Sequence, residues 1–256
     1  MSTASISPGI PTTNQEPSLS EPQRIVNVFF APTKTFADIR RSSRWWAPFL
    51  IGCLLSYLLT FAVATKVGWN QAAENTMKLR PKQYERIESL PAEQQTIAMG
   101  RVATTLKAFS YGSPVVLLLF YAIFAGVLLA TFNFGVGTEV KYAQALAILF
   151  YSGLVIGFKK GLLGPITLFA GLNAESFNFD NFVGSNPAYY MSATDTTPWL
   201  YNLLSYLDLF TIWTFILIGI GFAVVGRKKI STGVTVMAAW YVVVVLVTTG
   251  WTALMS

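Results

Sequence analysis

Residues 46–65 read WAPFLIGCLLSYLLTFAVAT, and no charged residue occurs between Arg44 and Lys66. As a helix rising about 1.5 Å per residue, this stretch is roughly 30 Å long, which matches the hydrocarbon core of a bilayer. Four further apolar runs follow, over about 113–134, 142–158, 203–225 and 233–254; the second of the five sits inside an uncharged stretch from 108 to 138. The composition agrees. Of 256 residues, 53% are apolar and 12% charged, about half the roughly 25% of an ordinary soluble domain. Mean hydropathy is +0.50. A soluble fold of this length has too little polar surface to cover so much apolar material. The expected fold class is an all-α integral membrane protein, a bundle of five transmembrane helices with an N-terminal amphipathic interfacial helix.

Upstream of the first span the character changes twice. Residues 1–22 are rich in Ser, Thr and Pro and carry no Lys or Arg. Such a stretch cannot bury enough to offset its ordering entropy, so a disordered polar tail is expected. It lacks the basic and apolar regions of a signal peptide. Over 23–45, Ile25, Val26, Phe29 and Phe30 fit one helical face, Pro32 interrupts, and Phe36 and Ile39 resume it. Lys34, Arg40, Arg41 and Arg44 surround them, and Trp45 and Trp46 follow. This pattern suits either a helix lying in the headgroup layer or a short helix packed on the protein's own spans.

The linkers set the orientation. Five Lys/Arg precede the first span, and Arg227, Lys228 and Lys229 fill the turn between the last two. Retained basic loops are cytoplasmic. Five spans put both clusters on one side, with the N-terminus in the cytoplasm and the C-terminus outside, in a bacterial cytoplasmic membrane. Residues 66–107, with seven Lys/Arg and four Glu, then fall outside. The length and amphipathic helices of that loop, which Pro81 and Pro91 are expected to start, weaken its vote. After Lys160 comes GLLGPITLFAGL, too short to cross alone. It is read as a Pro165-interrupted continuation of the third span or as an interfacial helix.

Several chemistries are excluded. The chain has no histidine and one cysteine, Cys53, so His-based relays, His zinc sites, thiolate clusters and intramolecular disulfides are ruled out. NFDNF (178–182) lacks the glycine and distal glutamate of a calcium loop, and no phosphate-binding or nucleophile-elbow motif occurs. No cofactor, metal or catalytic site is expected. The net charge of +6 and pI near 9.4 would suggest nucleic acid in a soluble chain. Here the basic residues flank apolar runs, so anionic lipid headgroups are the expected partner and nucleic acid is not. Lys159, Lys160 and Asp208 form a candidate intramembrane polar cluster at the ends of adjacent spans. They are read as snorkelling residues, a structural pair or a transport site. Gly153, Gly157 and Gly161 share one helix face, which suits helix packing or a dimer interface.

The order of these features resembles the Yip family, the Ypt/Rab-interacting membrane proteins. The resemblance is carried by FFAPTKTFADI, RWWAPFLIG, a long charged loop, LDLFTIWTFILIGIGFAVV and RKKISTGVTVMAAW. Its pattern positions are Pro32, Phe36, Ile39, Trp45, Pro48, Leu207, Asp208, Phe210 and Trp213, and it covers roughly 24–254. They look like the bacterial branch. The resemblance implies a five-helix membrane domain with a cytoplasmic N-terminus. In eukaryotic relatives it implies Rab binding, but the D-L-Y-G-P stretch associated with them is missing, so a Rab-type GTPase is not expected here. Two functions follow for testing: a non-enzymatic protein that organises membrane or recruits partners, itself included, and a permease or transporter subunit for a small solute or lipid.

Overall fold

The structure is a computed structural model that describes residues 18–171 and 173–255. Residues 1–17 of the expected polar tail lie outside the described residues. Among the described residues there are helices and no strands.

The N-terminal segment is a hairpin of α1 (Glu21–Phe30) and α2 (Pro32–Ile39). Ser20 caps α1 reciprocally with Gln23, and Pro32 opens α2 at a position that needs no amide donor. Val28, Phe36 and Ile39 are fully buried against the bundle, while Val26 and Phe30 stay exposed. The apolar face of this amphipathic segment is therefore divided: Val26 and Phe30 point outward, and the rest packs on the bundle. Each such side chain gains about 1.5–3 kcal/mol from burial.

The first long helix is α3 (Trp46–Lys66). Between it and the next lie α4 (Trp69–Lys78) and α5 (Pro81–Glu88). Pro81 starts α5, and Pro91 stands immediately before α6 (Ala92–Ala130), which Thr131–Val136 extends as a widened π-turn. The charged loop and the second span thus share one helix of 45 residues, because no breaker except a tolerated Pro114 separates them. Next come α7 (Tyr142–Phe158), a π-helical segment over Lys159–Leu163, and α8 (Gly164–Phe169). They form one apolar helix of 28 residues. GLLGPITLF, the part of this run up to Phe169, is accordingly a continuation of the third span: Pro165 falls at the start of α8, where its missing amide costs little.

The fourth apolar run is broken. α9 (Pro198–Tyr206) and α10 (Leu209–Val225) meet at 53°. The unbroken 203–225 helix expected from the sequence, with Asp208 a turn inside it, is corrected to a half-helix pair with Asp208 in the break. α11 (Ile230–Met255) closes the bundle. Four helices are long and apolar enough to cross a membrane, and a fifth crossing results if α9 and α10 count as one span.

Contacts fix the relative levels of the helices. Trp45, just before α3, stacks on Phe150 at 5.6 Å, and Lys66 at its end lies 4.8 Å over the Phe169 ring. α3 therefore runs parallel to α7–α8, and Lys159 sits midway between those two contacts. This revises the sequence reading, which put Lys159 and Lys160 at a span end. α10 and α11 approach closely where Gly219 faces Gly233; a Cβ at 219 would lie 2.7 Å from the Gly233 carbonyl oxygen. The core joins Phe132, Ile148, Tyr151, Leu217 and Phe222, with Phe132 and Phe222 stacked at 4.4 Å. Large apolar side chains on α3, α6 and α11, such as Leu54, Phe61, Ile123 and Leu246, point outward. A soluble monomer does not expose so continuous an apolar surface.

Candidate functional site

The mid-span polar site is built from two helix interruptions that face each other. Asp208 leaves helical geometry with φ −93° and ψ 124° and becomes the N-cap of α10. Its Oδ1 accepts from the Thr211 amide at 2.9 Å and the Thr211 hydroxyl at 3.0 Å. Its Oδ2 accepts from Lys159 Nζ at 2.5 Å and from the Ser185 hydroxyl. The π-segment beginning at Lys159 widens the helix at that point. Asp208 and Lys159 are 1% and 8% exposed in their side chains. Two carboxylate oxygens thus meet four donors from three segments of chain, and the anion is saturated. Lys159 has one further contact, the Phe210 ring at 6.0 Å from its Nζ.

Lys160, the third member of the sequence cluster, does not join this pair. It turns to the other side of α7, into a cavity between α3, α6 and α7. The three glycines lie on that side too. A Cβ at Gly153 would strike the Tyr121 hydroxyl, one at Gly157 would lie 3.3 Å from Leu55 Cδ1, and one at Gly161 would strike the Leu55 backbone.

The basic residues gather at the other end of the bundle. The Arg40 carbonyl accepts from Gln144 at 3.3 Å, Gly226 abuts Thr138, and a Cβ at Gly137 would lie 3.8 Å from Lys228 Nζ. Lys34, Arg40, Arg41, Arg227, Lys228 and Lys229 are exposed. Arg44 lies 3.7 Å from Glu21, Trp45 is inserted against Phe150, and Trp46 is about half exposed.

Sequence reading missed a second buried ion pair and the role of Ser185. Arg24 donates through Nε to Asp38 at 2.6 Å, and its second nitrogen lies 2.5 Å from the same oxygen. Glu21 completes the group, 3.5 Å from Arg24 and accepting from the Tyr151 hydroxyl at 2.5 Å. Burial opposes the charge on Arg24, but hydrogen bonds with Tyr151 and Asp38 outweigh it and hold its pKa above the usual arginine value. Arg24 reads in sequence as one more basic flank residue. Only the turn at Ala31 brings it to Asp38.

A bundle of apolar helices with a closed Lys159–Asp208 ion pair between two of them defines an integral membrane protein of the all-α class. The model of the Yip1 domain matches residues 26–252, and the chain belongs to the Yip1 family. No curated protein and no solved structure matches it.

Proposed function

We propose that this protein is a non-enzymatic bilayer-organising or partner-recruiting member of the Yip1 family, with its N-terminus in the cytoplasm and its C-terminus outside, in a bacterial cytoplasmic membrane. The observation that carries the reading is the saturation of Asp208. The buried anion of the spans has every acceptor position engaged by Lys159, Ser185 and Thr211, and so serves as a lock between α7 and α10. One accessible cluster of charge is the basic end, where Arg40 meets Gln144 and Gly137 approaches Lys228. That surface suits anionic headgroups.

The test is lipid retention by the full chain. Reconstituted in mixed phosphatidylglycerol and phosphatidylcholine vesicles and re-extracted, the protein should carry phosphatidylglycerol above its bulk share. Replacing Lys34, Arg40, Arg41 and Arg44 by Gln should lower that excess, by about 1 kcal/mol per charge, less in high salt. An excess unchanged by the four substitutions would refute the electrostatic part of the reading.

One observation favours a permease instead. The π-segment of the third span and the break in the fourth lie opposite each other at mid-span, an arrangement found at transport sites. On that reading Asp208→Asn leaves the fold stable and abolishes solute flux in vesicles.

A further inference from the structure

Between α3, α6 and α7 lies a half-open cavity of about 370 Å³. Its walls are mainly apolar, and Lys160 is the only charged residue that lines it. Of the hydroxyls in the wall, Ser56 and Ser113 bond each other at 2.9 Å and Thr60 donates to the Ser56 carbonyl at 2.9 Å, while Ser110 and Tyr121 also line the space. Lys159 next door has Asp208, whereas Lys160 has no carboxylate within ion-pair distance among the described residues. The cavity therefore presents one unmatched ammonium to an apolar space at mid-span. An uncompensated cation at that depth is costly and calls for an anion. Phe109, one of the lining residues, is 62% exposed, so the cavity reaches the outer surface of the bundle. The volume admits on the order of a dozen groups the size of a water molecule or methylene, which is one chain and not a two-chain glycerolipid.

We infer that this cavity binds a single-chain anionic amphiphile, a long-chain carboxylate, with its chain beside Gly52, Leu117 and Phe150 and its headgroup on the Lys160 ammonium. Gly153, Gly157 and Gly161 let Tyr121 and Leu55 pack closely at the edge of this cavity. The site is separate from the basic end of the bundle and does not rest on the function proposed above.

The experiment uses the full chain in phosphatidylcholine nanodiscs, with laurate as probe, dodecanol as its uncharged counterpart and native mass spectrometry as readout. Wild type should retain one laurate per chain and bind dodecanol at least about tenfold more weakly. Lys160→Gln should weaken laurate at least about tenfold, and Lys160→Arg should keep most of the affinity. Gly52→Leu should block the cavity. A Cβ there meets only Leu117 Cδ2, at 3.7 Å, so the larger side chain enters the space without striking backbone. Equal laurate retention by wild type, Lys160→Gln and Gly52→Leu would overturn the inference, as would dodecanol binding as tightly as laurate. In a second set of nanodiscs that include phosphatidylglycerol, retention of that lipid through Lys160 and its persistence against laurate would also overturn it, by naming a two-chain occupant. If Gly52→Leu does not accumulate, the contrast between Lys160→Gln and Lys160→Arg decides.

Discussion

Asp208→Asn tests the lock between α7 and α10 most directly. Asparagine keeps a side-chain oxygen that can still accept from the Thr211 amide, so the cap of α10 survives. Its amide nitrogen, however, faces Lys159 Nζ, which can only donate, so the ammonium loses its acceptor, while the Ser185 hydroxyl can turn to accept from the new amide. Lys159 is then a buried charge left with only the Phe210 ring, 6.0 Å away. Breaking a buried pair from one side costs about 3–5 kcal/mol. The reverse change is milder. Lys159→Met removes one of four donors, and Asp208 keeps Ser185 and both Thr211 contacts. That cost is the loss of one charge-assisted bond, about 1.5–3 kcal/mol. The double variant buries neither charge and should be more stable than Asp208→Asn alone. The assay is unfolding free energy in mixed micelles titrated with dodecyl sulfate, read as a double-mutant cycle. A coupling of about 3 kcal/mol in the restoring direction, larger than the cost of Lys159→Met alone, is expected. Additive single effects would refute the lock. A stable Asp208→Asn without solute flux would favour the permease.

Four further outcomes are expected. Gly161→Ala forces α7 away from the Leu55 backbone and should cost about 1–3 kcal/mol in the same titration. Gly100→Ala, in open space on α6, should be neutral or stabilising by up to about 1 kcal/mol. Arg24→Met leaves the buried Asp38 carboxylate without its cation; hydrogen exchange over 21–40 should speed up, and adding Asp38→Leu should slow it again. Reporter fusions at the two termini should give opposite signals; matching signals would eliminate an odd number of spans and the orientation proposed here.

The membrane class and the family were legible in the sequence because both depend on local composition and motif order. A run such as 46–65 has to span wherever it is placed, since only a helix satisfies its backbone in lipid. Pro81 and Pro91 mark helix starts by their missing amides, which is equally local. The limits of the third and fourth spans were not legible. The sequence left the third span either ending at Lys159 and Lys160 or continuing through Pro165, because two charges interrupt an apolar run. The fold carries the helix through them to Phe169, and Asp208, reached only through a break in the neighbouring helix, compensates one of the two. Asp208 looked like a residue inside a helix because nothing before Leu209 breaks the apolar pattern. Ser185, from a distant loop, completes its cap site. The same holds for Arg24 and Asp38, which only the hairpin brings together, and for Lys160, whose lack of an anion shows only once the cavity wall is assembled. A charge's partner lies far along the chain, and only packing determines which charges are matched and which are left waiting.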